Sequence, residues 1–154
     1  MTDPRQWGAS EWNEGGAEFL PGHLGIEILA AEPGEVRARL PVSKKLLAPN
    51  GYMHAGSVIT LADTCCGYGT VLNLPEGAVG FTTIELKSNF LGTALEGELT
   101  CSARPTHVGR TTQVWDATVV SEASGRTVAL FRATQMVLRP TGGAAPPGAP
   151  AAGS

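Results

Sequence analysis

Asp63 is the residue whose surroundings most clearly suggest chemistry. From Gly56 to Leu74 the chain reads GSVITLADTCCGYGTVLNL, which contains no Lys, Arg or Glu and has Asp63 as its single carboxylate. A carboxylate in such apolar surroundings either has a partner or has its pKa raised by desolvation. Because that placement is costly for stability, Asp63 is a candidate for catalysis. The alternative is a structural carboxylate inside a helix, bonded to Thr60 or to a neighbouring strand.

The three cysteines do not form a metal-binding or catalytic pattern. Cys65 and Cys66 are adjacent, Cys101 lies in a separate apolar run, and no CxxC or Cys/His ligand spacing is present. The sequence therefore predicts neither a zinc site nor a disulfide framework, and free thiols fit a reducing cytoplasm. His54 lies too far along the predicted helix to serve as a base for Cys65 or Cys66, which we expect to be packing residues.

The bulk composition indicates one soluble domain without a basic surface. The chain has 154 residues, a net charge of −3 and a pI of about 5.6, so it lacks the positive field that attracts nucleic acid. No apolar run reaches the ~20 residues of a membrane span, and the first residues lack the pattern of a secretory signal. We expect a cytoplasmic protein with neither a nucleic acid nor a membrane as partner.

The distribution of apolar residues predicts the element order β-β-α-β-β-β-β. Residues 24–31 and 35–42 form a hairpin with one apolar face. Residues 55–74 form a helix that is apolar nearly all round and is therefore enclosed by other elements. Four strands follow, at 79–91, 96–107, 111–121 and 127–138. The expected fold is α+β, with one long central helix against a six-stranded antiparallel sheet.

The segments on either side of this domain differ from it in composition. Residues 1–22 are predicted to be an N-terminal arm or short helix, since Trp12, Phe19 and Leu20 recur at helical spacing. The domain itself spans residues 23–139. Residues 140–154 form an Ala/Gly/Pro-rich tail that we expect to be disordered. A six-stranded sheet around one helix leaves edges or a face uncovered, which predicts dimerisation.

The helix motif NGYMHAGSVITLADTCCGYG, together with this element order, resembles the hotdog-fold acyl-CoA thioesterases. The likeness is greatest to the PaaI-like branch, which includes phenylacetate-pathway and 4-hydroxybenzoyl-CoA thioesterases. In that family His-Gly-Gly opens the helix and an Asp or Glu follows eight residues after the first glycine. Here His54-Ala55-Gly56 and Asp63 occupy these positions, with Ala55 in place of glycine. The likeness runs from about Leu24 to Leu138.

The resemblance implies hydrolysis of an aromatic or medium-chain acyl-CoA thioester to free acid and CoA. Asp63 would act as nucleophile or general base, and the N–H groups of Ala55 and Gly56, at the positive end of the helix, would stabilise the oxyanion. His54 is expected to cap the helix or orient the loop rather than to react. Asn50 either forms a turn with the glycine after it or binds the thioester oxygen or the water.

Two further groups of residues are implied by the same resemblance. Thr83 is expected near the carboxylate on the first strand after the helix, and strand alternation places it on the same face as Phe81 and Glu85. The hairpin at residues 107–112 matches a family region that contacts the nucleotide end of CoA. Candidates for binding its phosphates are Arg110, Thr111 and Thr112, with Arg104 and Arg126 behind them. No metal or cofactor is implied, because CoA is part of the substrate.

Helix geometry adds a prediction about assembly. Eight helical residues rise about 12 Å, whereas reacting atoms approach within about 3–3.5 Å. The amide of Ala55 and the carboxylate of Asp63 on one helix therefore cannot reach the same carbonyl carbon, which predicts a homodimer with shared active sites. The resemblance implies that dimers pair into a homotetramer and that phenylacetate degradation is a candidate pathway. A hotdog-fold hydratase or dehydratase and a non-catalytic acyl-CoA-binding module are the alternatives.

Overall fold

The structure is a computed structural model that describes residues 2–141, so most of the predicted tail lies outside the described residues. Three α-helices occur in this part of the chain, at α1 (Ala9–Gly16), α2 (Leu20–Leu24) and α3 (Ala55–Leu72). Its strands are β1 (Glu27–Glu32), β2 (Glu35–Pro41), β3 (Gly80–Phe90), β4 (Glu98–Val108), β5 (Thr112–Ser121) and β6 (Thr127–Leu138). Short 3-10 turns occupy Pro4–Gln6 and Lys44–Leu46.

The strands form one antiparallel sheet in the order β1-β2-β4-β5-β6-β3. Helix α3 packs across one face of this sheet and contacts all six strands. The inward positions of β2, at Val36, Ala38 and Leu40, are fully buried, as their alternation with charged residues requires. The predicted α+β architecture is confirmed, and β1 and β3 are the two edges of the sheet.

Two glycines allow α3 to approach the sheet closely. A Cβ at Gly69 would lie within 2.9 Å of three ring atoms of Trp115, which is fully buried on β5. A Cβ at Gly67 would lie 3.2 Å from Cζ of Phe81 on β3. Burial against the sheet therefore compensates for the weak helix propensity of these residues.

The N-terminal segment covers the exposed side of α3 through aromatic contacts. Trp7 meets Trp12 edge-on at a centroid distance of 4.8 Å, and Trp12 stacks on Tyr68 at 4.0 Å. Of the three residues that suggested a covering helix, only Trp12 is buried. Phe19 is 67% exposed and Leu20 lies beyond a break between α1 and α2.

Asn13 ties α1 to the edge strand β1. Its Nδ2 donates to the carbonyl of Ile28 at 3.0 Å, and its Oδ1 accepts from the Ile28 N–H at 2.8 Å. The side-chain amide thus bonds both backbone groups of one edge residue, as a neighbouring strand does.

Within residues 2–141, no helix combines the length and apolarity needed to cross a membrane.

Candidate active site

Asp63 lies half-buried on α3 with an unpaired carboxylate oxygen. Its Oδ1 is buried and has no hydrogen-bond partner among the described residues, and burial raises the pKa of this carboxyl. The Thr60 hydroxyl does not bond it but donates to the Gly56 carbonyl at 2.7 Å. The structural alternative considered for Asp63 therefore lacks its hydrogen bond, and the carboxylate is available to accept a proton or to attack.

The packing of α3 on β3 brings Asp63 over the Thr83 region of the strand. Gly67, one turn after Asp63 on the same helix face, lies against Phe81, whereas Val58, nearer the helix start, lines a cleft with Phe90. The helix and the strand therefore run in opposite directions here. Four helical residues span about 6 Å, as two strand residues do, so the step from Gly67 to Asp63 corresponds to the step from Phe81 to Thr83.

A β-bulge determines which side chains of β3 face the helix. Thr83 pairs with Gln135, but the next pair is Glu85 with Thr134, so Ile84 is the extra residue. Gln135 is buried on the helix side of β6, and paired residues share a face, so Thr83 lies on the helix side of β3, where it is exposed at the open edge of the sheet. Glu85 pairs with an outward position and points away. The expectation that Thr83 and Glu85 share a face is wrong, because the bulge shifts the alternation between them.

His54 caps the N-terminus of α3 with its side chain. Its Nδ1 accepts from the Gly56 N–H at 2.8 Å, as side chains at a helix N-cap commonly do. A Cβ at Gly56 would lie 3.0 Å from this Nδ1, so glycine is what lets the imidazole approach. We expected the N–H groups of both Ala55 and Gly56 to be free to stabilise an oxyanion, but the Gly56 N–H is already bonded to His54. The Ala55 N–H has no acceptor among the described residues.

An apolar cleft opens beside this helix terminus. It has a volume of about 310 Å³ and is lined mainly by apolar and aromatic side chains: Tyr52, Met53, Ala55, Val58, Phe90, Gly92 and Thr93. The Thr93 hydroxyl accepts from the Met53 N–H at 3.1 Å, which joins the loop before α3 to the segment after β3. Ala55, the first residue of α3, therefore lies at the wall of a cavity large enough for part of a small ligand.

Asn50 lies in a turn next to the cleft. Its Oδ1 accepts from the Tyr52 N–H at 3.1 Å, and Gly51 takes a positive φ of 87°. The side chain is exposed and is used by its own turn, as Asn-Gly pairs commonly are. Of the two roles considered for Asn50, the structure supplies contacts for the turn.

The hairpin between β4 and β5 lies at the opposite end of α3. Gln113, at its base, bonds the carbonyl of Asn73 after the last turn of the helix, and α3 is 18 residues long, or about 27 Å. Arg110 and Thr111 are exposed at the hairpin and Thr112 begins β5. Arg139, which sequence reasoning missed, fixes this hairpin by donating to the Arg110 carbonyl at 3.2 Å.

Arg104 does not belong to this group. It lies on the outer face of β4, away from α3, and donates to Oε1 of Glu35 at 3.0 and 3.2 Å. Arg126 lies in the hairpin at the other end of β5. The hairpin itself therefore supplies Arg110 as the guanidinium available to an anionic ligand.

Comparison with known proteins identifies the family. A model of the Thioesterase superfamily matches residues 50–128, which is about half of the chain and includes His54, Asp63, Thr83 and Arg110. The chain belongs to this superfamily.

Individual relatives agree with the family match. The thioesterase is 31% identical to 1,4-dihydroxy-2-naphthoyl-CoA hydrolase of Listeria monocytogenes, over 64% of this chain and 80% of the relative. It is 30% identical to the proofreading thioesterase EntH of Klebsiella pneumoniae, over 82% and 91% of the two chains. A mutant form of thioesterase PA1618 of Pseudomonas aeruginosa superposes with a TM-score of 0.81 at 26% identity, covering 86% and 95%. The predicted hotdog fold and thioester-hydrolase class are confirmed.

The cysteines of the thioesterase are unsuited to be its nucleophile. All three are free and buried. A hydrogen bond with Cys101, followed by burial, raises the pKa of Cys65 far above its usual range, and burial does the same for Cys66. A thiol needs to ionise to attack, so Cys65 and Cys66 are packing residues of the core, the role expected of them.

Sequence reasoning missed several residues that the fold brings to the site. Tyr52, Met53 and Thr93 line the cleft, although only their nearness to His54 and to the end of a strand could have suggested it. Gln135 carried a clearer signal. It occupies an inward position of a strand whose other inward residues, such as Phe131 and Ala133, are apolar.

Proposed function

We propose that this thioesterase hydrolyses acyl-CoA thioesters with an aromatic or medium-chain acyl group. The observation that carries this proposal is Asp63, whose Oδ1 is buried without a hydrogen-bond partner among residues 2–141 and whose pKa is raised by burial. A raised pKa makes the carboxylate a stronger base near neutral pH than an exposed Asp. The other acidic side chains whose pKa shifts in this structure, such as Asp116, are paired with arginines and shifted downward.

Two routes are open to Asp63. As a general base it takes a proton from water while the resulting hydroxide adds to the thioester carbonyl, and the tetrahedral intermediate then expels the CoA thiolate, which takes up that proton. As a nucleophile it forms an acyl anhydride and releases the thiolate, and water then hydrolyses the anhydride. In both routes the developing oxyanion needs a donor, and the unpaired Ala55 amide at the positive end of α3 fits that need.

A homodimer through β3 would join the parts that one subunit keeps apart. β3 is an open edge, and it carries exposed apolar side chains, with Ile84 53%, Leu86 41% and Phe90 45% exposed. Antiparallel pairing of two β3 strands sets the Phe90 end of one beside the Gly80 end of the other. The cleft and Ala55 amide of one subunit then approach the Asp63 face and hairpin of its partner. Pairing of dimers into a tetramer, as in the family the sequence resembles, is part of this proposal.

The nature of the cleft supports the acyl preference. Its volume lies near the lower end of the range of ligand pockets, about 300–1,000 Å³, and Tyr52 and Phe90 give it aromatic walls. The relative named for hydrolysis of 1,4-dihydroxy-2-naphthoyl-CoA also acts on an aromatic acyl group. Membership of the PaaI-like branch, a cytoplasmic location and a role in phenylacetate degradation are part of this proposal. Arg110, Thr111 and Thr112 are the proposed contacts for the CoA phosphates.

The test is release of free CoA, measured with a thiol-trapping dye from benzoyl-CoA, phenylacetyl-CoA and hexanoyl-CoA. We expect turnover of at least one ester by the parent and a loss of roughly 10²- to 10⁴-fold in Asp63→Asn. Asp116→Asn is the matched control, since Asp116 lies on the outer face and pairs with Arg132 at 2.6 Å, and it should retain the parent rate. Equal rates for Asp63→Asn and the parent would refute the role of Asp63. Tight binding of the esters without release would instead support a binding module.

A further inference from the structure

Two buried glutamines stand side by side in the sheet and differ in one respect. Gln113 on β5 and Gln135 on β6 are paired, and both are fully buried. Gln113 donates to the carbonyls of Thr70 and Asn73 at 3.3 and 3.1 Å and accepts from Trp115 Nε1 at 2.9 Å. Neither Oε1 nor Nε2 of Gln135 has a partner within residues 2–141. A buried side-chain amide without hydrogen bonds destabilises a fold, so a functional reason for Gln135 is expected.

The position of Gln135 points toward the catalytic side of α3. On its other flank Gln135 pairs with Thr83, which lies on the same face of the sheet and is exposed at its open edge. Side chains paired across strands have Cβ atoms about 4.5–5.5 Å apart, so the Gln135 amide reaches the Thr83 hydroxyl by a change of side-chain rotamer. The bulge at Ile84 follows Thr83 directly, and bulges of this kind re-aim side chains beside active sites.

The same seam holds other unpaired polar atoms. Asp63 Oδ1 on α3 and Ser88 Oγ on β3 are also buried without partners among the described residues. β3 is the open edge of the sheet, and α3 packs across the face that includes it. Unpaired groups concentrated between α3, β3 and β6 indicate a set of hydrogen bonds that forms in another state of the enzyme, when substrate or a second subunit closes this side.

We propose that Gln135 is a positioning residue for hydrolysis, acting through Thr83 on Asp63. In the closed state Gln135 Nε2 donates to Thr83 Oγ1, directly or through one buried water, and the Thr83 hydroxyl donates to Asp63 Oδ1. One rotation of Thr83 then satisfies the orphaned donor of Gln135 and the orphaned acceptor of Asp63 together. These hydrogen bonds hold the Asp63 carboxylate in one orientation while its Oδ2 reacts. The inference rests on the proposed role of Asp63.

The test combines stability with a double-mutant cycle on the full chain. Gln135→Met replaces an unbonded amide by an apolar side chain of similar shape, so its Tm should equal or exceed that of the parent. Its kcat on the best ester of the panel should fall roughly 10- to 100-fold with KM within about twofold, since misplacement affects the reacting geometry. Thr83→Val should lose a similar factor, and the double variant should be no slower than the slower single variant.

Gln113→Met is the matched control, and it should lower Tm because three hydrogen bonds are lost, while kcat at 25 °C stays at the parent value. An unchanged kcat in Gln135→Met overturns the inference, whatever its Tm. If the fold losses of kcat in Gln135→Met and Thr83→Val multiply in the double variant, the two residues act independently, and this result also overturns the inference. If the parent releases no CoA from any ester of the panel, the proposed function fails. If Asp63→Asn keeps the parent rate, the role of Asp63 fails and the positioning role fails with it. If Asp63→Asn is inactive but Gln135→Met is fully active, only the positioning role fails.

Discussion

Substitution of Gly69 by alanine tests how tightly the central helix is seated on the sheet. The added methyl group would lie within 2.9 Å of three ring atoms of Trp115, and this ring is fully buried and donates to Gln113. Overpacking of a core costs about 1–3 kcal/mol, and displacement of the ring forfeits roughly 1 kcal/mol of hydrogen bonding. Improved helix propensity returns about 1 kcal/mol. The net loss is therefore about 2 kcal/mol, or roughly 7 °C in Tm for a domain of this size.

Gly67→Ala is the matched substitution two residues earlier. Its methyl group would approach one atom more closely than ordinary van der Waals contact, Cζ at the far end of Phe81 at 3.2 Å, and Phe81 is half-buried on the edge strand. The ring can shift slightly, so the gain in propensity should leave this variant as stable as the parent or up to about 1 kcal/mol more stable. Urea unfolding followed by tryptophan fluorescence measures both values. Equal stabilities for the Gly69→Ala variant and the parent would show that α3 is not held against Trp115 as described.

The raised pKa of Asp63 gives a pH dependence with a definite sign. The native state binds this proton more tightly than the unfolded chain does, so the ionised carboxylate destabilises the fold above its native pKa. Asp63→Asn should therefore raise the unfolding free energy at pH 7, and this gain should disappear as the pH falls toward the ordinary Asp pKa of 3.8. Thermal melts at several pH values measure this change. The kcat/KM of the parent should fall in acid with a midpoint above pH 3.8. Gly56→Ala should displace the His54 side chain from its cap on α3. Loss of the cap costs about 1 kcal/mol, which roughly offsets the gain in helix propensity, so the Tm of the variant should stay near that of the parent. The NMR resonances of the His54 ring should change, because the cap is lost. Arg110→Ala should raise KM for a CoA thioester several-fold and leave KM for the pantetheine thioester, which lacks the nucleotide, unchanged; equal effects on both esters would exclude a phosphate contact.

The elements of this fold were predictable because their signals are local. The predicted helix at 55–74 and the observed Ala55–Leu72 share their start, since the loop before His54 and the apolar run after it mark the boundary clearly. Turn residues such as Pro33-Gly34 and Gly125 mark the ends of the strands as clearly. Asp63 was found by the same logic, as one charge in an apolar run.

What was not predictable depends on contacts between distant parts of the chain. The bulge at Ile84 has no sequence mark, yet it decides that Thr83 and Glu85 face opposite ways. The engagement of the Gly56 amide depends on the rotamer of His54. The pairing of Arg104 with Glu35 joins residues far apart in the chain. Each of these is set by packing of the finished fold rather than by local pattern.

The contact between Asn13 and Ile28 has a consequence for how copies of this protein can grow into larger assemblies. Open-ended stacking of sheets into fibres needs two free edges on every molecule, one to receive a neighbour and one to offer the next site. At Ile28 on the β1 edge, Asn13 already occupies both backbone groups, whereas β3 is unpaired on its outer side. Asn13 therefore opposes addition of a strand at β1, and we expect edge-to-edge association of this chain to stop at a pair rather than continue into a fibre.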